Sequence, residues 1–305
     1  MNESLFINII IGISIASTPL IFAAIGELLV ERSGVLNLGV EGMMIIGAVI
    51  GFIIAVNTQI PIYGFLCAAI AGALLSIIFA VLTQFMMSNQ VATGLGLTMV
   101  GLGLSALIGK PYEGIKSPTL TKFEIPFLSD IPILGPMFFS HDAIVYLSIL
   151  VVAVVALIVN KTRWGLVLRA VGENQEAAHA LGYKVVRIRF IAIMFGGAMA
   201  GLGGAYISLA RVPQWTEGMT AGAGWIALAL VVFASWKPWR VLVGAYLFGG
   251  ITVLQLNLQA IGVAIPVEIL SMSPYLVTIV VLVGISLFGH HTAPGSLARP
   301  FHASQ

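Results

Sequence analysis

Residues 42–109 read GMMIIGAVIGFIIAVNTQIPIYGFLCAAIAGALLSIIFAVLTQFMMSNQVATGLGLTMVGLGLSALIG, 68 consecutive residues without one Asp, Glu, Lys or Arg. An α-helix needs about 20 apolar residues to cross a bilayer, so this stretch alone holds three crossings. Its apolar runs are continuous and lack the two-residue alternation of a membrane β-barrel. Across all 305 residues 59% are hydrophobic and 9% charged, with a mean hydropathy of +1.06. That is too little charge to cover a soluble domain of this size. The fold class is an all-α polytopic membrane protein embedded in a lipid bilayer.

Outward from this stretch, apolar segments fall at 5–26, 39–56, 62–86, 91–109, 143–160, 190–210, 221–236, 241–260 and 273–289. They give about nine spans. The second is a candidate for a broken or re-entrant element, because Gly34, Asn37, Gly39 and Gly42 crowd its start. The whole of 1–305 reads as one transmembrane domain, with a loop at 110–142, a second at 161–189 and a tail at 290–305. The first loop carries Pro111, Pro118, Pro126, Pro132 and Pro136, so an ordered cap or a pair of short helices is expected there.

Net charge is +2, but the basic residues are segregated. Lys161, Arg163, Arg169, Lys184, Arg187 and Arg189 all lie in the 161–189 loop. If that loop is cytoplasmic, alternation places Arg32, Lys237, Arg240 and Arg299 inside too. Only Lys110, Lys116, Lys122 and Arg211 remain outside. The N-terminus is then outside and the C-terminus inside. Basic residues that follow the membrane topology rule do not suggest nucleic-acid binding. Met1-Asn2-Glu3-Ser4 lacks the basic region of a removable signal peptide.

No cofactor or metal is expected. The five histidines, at 141, 179, 290, 291 and 302, show no zinc-like spacing within a span, and Cys67 reads as a small packing residue. Gly103-Leu104-Ser105-Ala106-Leu107-Ile108-Gly109-Lys110 resembles a phosphate-binding loop but has one residue too many between its glycines. Pro111 also stands where a hydroxyl should hold magnesium. Any ATP hydrolysis would belong to a partner chain. No catalytic constellation is visible, so an enzyme is not expected.

Polar residues near the spans are candidates for a translocation path: Asn37, Glu41, Asn89, Gln90, Thr93, Gln255 and Asn257. Each has a structural alternative. The amides can bond between helices, and Glu41 can favour a helix N-terminus. Glu31 and Arg32 are expected at the membrane interface. An ion-coupled carrier usually holds ionisable groups in mid-membrane, and the span centres here carry essentially none. A stand-alone channel or secondary carrier is thus the weaker reading.

Within the 161–189 loop, Glu176-Ala177-Ala178-His179-Ala180-Leu181-Gly182 reads E-A-A-x-x-x-G. This resembles the cytoplasmic coupling loop of ABC importer permeases, in which a short helix docks on the ATPase subunit. Glu176, Ala177, Ala178 and Gly182 match. The Leu-Pro that follows in the maltose-type branch does not, since Arg189-Phe190-Ile191-Ala192-Ile193 stands downstream. Residues 31–42, ERSGVLNLGVEG, resemble the opening motif of the branched-chain amino acid, ribose and nucleoside permeases. The Asn-Leu-Gly-x-Glu-Gly form is most similar to nucleoside members, whose receptors are lipoproteins of the basic membrane protein family. Residues 222–230, GAGWIALAL, and 236–240, WKPWR, resemble the same group.

The resemblance implies one permease subunit of an importer in the bacterial plasma membrane. Its partners would be an ATP-binding cassette ATPase, a second and often different permease subunit, and an extracellular substrate-binding lipoprotein. A nucleoside is the expected substrate, with branched-chain amino acids and monosaccharides as alternatives.

Overall fold

The computed structural model describes residues 3–124, 134–260 and 293–301, with scattered positions at 129–132 and 266–284. Eleven α-helices lie among them: α1 Glu3–Arg32, α2 Val40–Thr58, α3 Pro61–Ala80, α4 Gln90–Gly109, α5 Leu134–Phe138, α6 Ala143–Lys161, α7 Arg163–Glu173, α8 Gln175–Ala180, α9 Val185–Tyr206, α10 Ala223–Phe233 and α11 Pro238–Ala260. Seven, α1 to α4, α6, α9 and α11, are long and apolar enough to cross a membrane. α10 is apolar but has only 11 residues. The expected ninth span, 273–289, lies largely outside the described residues.

Helices dominate because a spanning segment must satisfy its own backbone. Their ends follow local chemistry. Asn89, Asp142 and Thr162 accept backbone N–H groups at the heads of α4, α6 and α7, and Pro61 opens α3 where no donor is needed. The 110–142 loop is ordered where described. A 3₁₀ turn over Lys110–Tyr112 precedes strands β1 Lys122–Glu124 and β2 Ser140–Asp142, which pair antiparallel, and α5 lies between the strands.

The core is built on close backbone approach. α1 and α9 run antiparallel, with Gly26 against Gly196 and Gly203 against the Pro19 carbonyl. α2 runs alongside α9, with Gly47 on Gly201 and Gly51 beside Ala205. Small residues bring such pairs together, and dispersion between backbones then holds them in lipid.

The connectivity is duplicated in opposite senses. α1 is followed by the non-helical stretch 33–39, then α2 and α3. α9 is followed, after one π-helical turn at Ile207–Arg211, by the non-helical stretch 212–222, then α10 and α11. α3 packs antiparallel on α9 through Gly72 against Gly197, and α11 packs antiparallel on α1 through Gly249 against Ser17. Each set therefore lays its third helix on the first helix of the other. This is the inverted-repeat architecture of many transporters.

Four sequence expectations change. The second segment is not broken: α2 is continuous, and the gap precedes it. The expected 221–236 span is the half-length α10, about 16 Å long, bounded by the gap at 212–222 and a turn at 234–236. The first span does not stop at 26, because Glu27 and Glu31 continue α1 and are buried in protein. Glu31 accepts from Trp236 Nε1 at 2.6 Å, and Arg32 donates to the Trp236 carbonyl. Glu31, expected at the interface, is thus enclosed in protein, while half-buried Arg32 stays at the end of the bundle.

One end of the bundle gathers Arg32, Lys161, α7, α8, Trp236 and residues 293–301, joined by Trp236 to α1 and by Ser296 N–H to the Gly172 carbonyl. The other end holds Thr58, Tyr112 and Trp215. Asn57 donates to the Tyr112 hydroxyl, and Trp215 lies against Gly109.

Candidate functional site

Two regions carry the polar chemistry. The first is where α2 and α10 begin. Both helix heads meet at the Glu41 carboxylate. One of its oxygens accepts from Thr220 Oγ1 at 2.6 Å and from the Gly222 N–H at 2.9 Å. The other accepts from the Gly224 N–H at 2.6 Å. The side chain is buried. A carboxylate is favoured where helix N–H groups converge, and here it faces the head of α10 from the first turn of α2. Gly222 is left-handed, with φ +83°. A Cβ on Gly224 would lie 2.6 Å from the Glu41 Cα, so glycine is needed at both positions. Gly42 packs on Leu97 and Thr98, two turns into α4. The junction therefore lies about 12 Å along the bundle from Gln90, well inside the span.

The stretch 33–39 leads to this junction. Its backbone is satisfied by side chains from other helices. Leu36 N–H donates to Gln90 Oε1, Asn37 N–H donates to Glu27 Oε1, and Thr98 Oγ1 donates to the Leu38 carbonyl. Irregular backbone at membrane depth requires such partners. Trp225 of α10, 42% exposed, also donates to the Leu38 carbonyl, at 3.4 Å.

Of the candidate path residues, Asn37, Glu41 and Gln90 gather around this segment and are buried. Asn37 turns inward, and its Oδ1 accepts the Gly39 N–H. Asn89 caps α4 and is exposed, while Thr93 bonds Ser88 beside it. Gln255 and Asn257 lie near the far end of α11, where Val253 meets Gly12, and Asn257 bonds its own helix. The structure does not bring these two to the junction.

The second region is α7–α8. Asn174 caps α8 by accepting the Glu176 and Ala177 N–H groups. Glu176 and Ala177 face outward, and Ala178 packs inward on Val171, Val185 and Phe301. Gly182, at φ +88°, ends the helix, and the Tyr183 N–H reaches back to the Ala178 carbonyl. Nothing lies within 4 Å of where a Gly182 Cβ would be, so the backbone conformation alone calls for glycine. Leu181, 77% exposed, and Tyr183 complete an outward apolar face.

Sequence reading missed the side chains that hold this region. Arg189 is fully buried and bonds Ser33, Gly34, Gln175 and Arg299. Its only sequence signal was a basic residue placed just inside an apolar run. The stretches 31–42, 222–230 and 236–240 did carry a signal, and the structure joins them. Glu31 and Arg32 meet Trp236, and Glu41 meets Gly222 and Gly224. No cluster of three metal-ligating side chains occurs among the described residues.

An inverted pair of helix sets with discontinuous elements meeting inside the span, and an exposed helical elbow at one end, defines a multi-pass membrane permease. Residues 9–285 match the family described as branched-chain amino acid transport system / permease component, and the chain belongs to that family of ABC transporter permeases. It is 42% identical to a putative glucose ABC transporter permease protein, TsgC13, of Haloferax volcanii, over 88% of each chain. It is 35% identical to the guanosine ABC transporter permease protein NupQ of Bacillus subtilis over 93% of each. It is 33% identical to the nucleoside ABC transporter permease protein NupC of Lactococcus lactis over 90% of each. No solved structure matches it.

Proposed function

We propose that this chain is a membrane-spanning subunit of an ABC importer for nucleosides. The observation that carries the substrate is the likeness, across about nine-tenths of the chain, to two permeases named for guanosine and for nucleosides. The junction suits an uncharged solute with a flat base: exposed Trp225 stands beside it, the exposed amide of Asn89 lies further along the bundle at the head of α4, and among the described residues no basic side chain bonds the Glu41 carboxylate. Aromatic faces and amides bind a nucleobase without charge.

In this reading α8 is the coupling helix. Glu176 and Ala177 meet a separate ATPase, Ala178 seats the helix on the permease, and Gly182 ends it. The basic end that holds α7, α8 and the tail is cytoplasmic, and the 110–142 loop faces an external receptor. A second permease subunit completes the path. ATP binding drives the access switch through its unequal affinity for the two states.

Glucose is the second reading, favoured by the 42% identity to the putative glucose permease. Uptake of labelled guanosine by the complete complex in proteoliposomes, competed with adenosine, glucose, ribose or leucine, separates them. Competition by nucleosides alone supports the proposal. Competition by glucose and not adenosine replaces it with the second reading.

A further inference from the structure

The second turn of α9 holds a cation, Arg189, to which no carboxylate is bonded among the described residues. Arg189 Nε donates to the Ser33 carbonyl at 3.0 Å, and Nη1 donates to the Arg299 carbonyl at 3.2 Å. Nη2 donates to Gln175 Oε1 at 2.6 Å and to the Gly34 carbonyl at 3.4 Å. One guanidinium thus ties together four segments: α9, the start of the 33–39 stretch, the first residue of α8, and the C-terminal tail. A planar fork with five donors can serve these four spread acceptors at once, whereas a lysine ammonium offers three donors from a single nitrogen.

Gln175 is the other half of the joint. Its backbone N–H donates to Ser296 Oγ and its Nε2 to the Pro300 carbonyl, so the tail is stitched to α8 on both sides. Phe301 closes the contact with its ring edge-on to His179, centroids 5.2 Å apart. Gly34 sits at φ +91°, and a Cβ there would come within 2.6 Å of Arg189 Nη2. The stretch therefore turns sharply where it is gripped. From Gly34 the chain runs through Asn37, held by Glu27, to Glu41 and the head of α10.

We propose that Arg189 and Gln175 are positioning residues for energy coupling. They form a rigid link that carries displacement of α8 into the 33–39 stretch and so to the α2–α10 junction. The tail, 293–301, is part of that link. This rests on α8 being the coupling helix. Hydrogen-bonded links between rigid elements carry such coupling where the elements have two arrangements. A sliding contact would dissipate the displacement, whereas a buried four-way clamp passes it on.

The test uses the complete complex in proteoliposomes, with ATP hydrolysed per solute imported as the readout. The variants are Arg189→Lys, Gln175→Met, Gln175→Glu and Gly182→Val. Arg189→Lys and Gln175→Met are expected to raise the ratio at least tenfold while the ATPase still co-purifies. Gln175→Glu keeps the acceptor for Nη2 but loses the donor to the Pro300 carbonyl, so it is expected to raise the ratio, though less than Gln175→Met. A role in packing alone would change the amount of complex and leave the ratio of the surviving complex unchanged. A normal ratio in assembled Arg189→Lys or Gln175→Met, with a raised ratio in Gly182→Val, overturns the link and leaves α8 as the coupling helix. Normal ratios in all four overturn both. If neither Arg189→Lys nor Gln175→Met assembles, the clamp is a folding element and the proposal falls.

Discussion

The backbone N–H of Gly224, at the head of α10, donates to the carboxylate of Glu41, at the head of α2, over 2.6 Å. Two helices from opposite ends of the sequence thus share one anchor inside the span. The carboxylate has two acceptor oxygens, and both are used. An amide has one acceptor oxygen and a donor NH₂. Glu41→Gln would satisfy Thr220 and Gly222 but set its NH₂ against the Gly224 N–H. An unpaired buried donor costs about 1–3 kcal/mol. The purified variant is expected to unfold at a lower temperature by tryptophan fluorescence, with unchanged membrane insertion. An unshifted transition would show that the shared anchor contributes nothing to stability.

The glycines of the α9 seam make a second, graded prediction. A Cβ on Gly204 would run into the Met44 carbonyl, and one on Gly72 into the Gly197 carbonyl. Backbone cannot swing aside as a side chain can, so the helices must part, costing about 1–3 kcal/mol each. Gly96, on the outer face of α4, has nothing within 4 Å of its Cβ position. Gly204→Ala and Gly72→Ala should therefore lower thermal stability and yield. Gly96→Ala should match the wild type or exceed it slightly, since alanine favours helix. Equal losses at all three sites would contradict the packing described.

This contrast shows what the sequence discloses and what it hides. Glycine clusters at 196–204 were legible as a helix-packing face, but no one-dimensional pattern separates Gly204 from Gly96. The long spans were legible because lipid demands continuous apolar runs. The inner end of α1 was not, since Glu27 and Glu31 look like the end of a span. Their burial depends on Asn37 and on Trp236, the latter 205 positions away. α10 hid for a related reason. Its apolar run was legible at 221–236, but not that left-handed Gly222 and the Glu41 anchor start the helix only at Ala223, or that it ends at Phe233. The α8 motif was legible because its geometry is local: cap, small residues and terminal glycine lie within nine positions. Arg189 was not, because its partners lie up to 156 positions away.

The proposed cytoplasmic placement of α7, α8 and the tail gives the last prediction. These segments pack together, so they share a side whatever that side is. The excess of Lys and Arg in these segments is the argument for the inner side. The native chain has one cysteine, Cys67, which can be replaced by Ser to give a silent background. In that background Leu181→Cys places a thiol at a position 77% exposed, and Lys116→Cys places one on the opposite end. An impermeant maleimide added to intact cells should label Lys116→Cys and spare Leu181→Cys. Permeabilised cells should label Leu181→Cys as well, unless the ATPase covers it. Adding the purified complex without ATPase as a third sample resolves that case. Labelling of Leu181→Cys in intact cells would place the α8 face outside, out of reach of a cytoplasmic ATPase, and the coupling assignment would go with it.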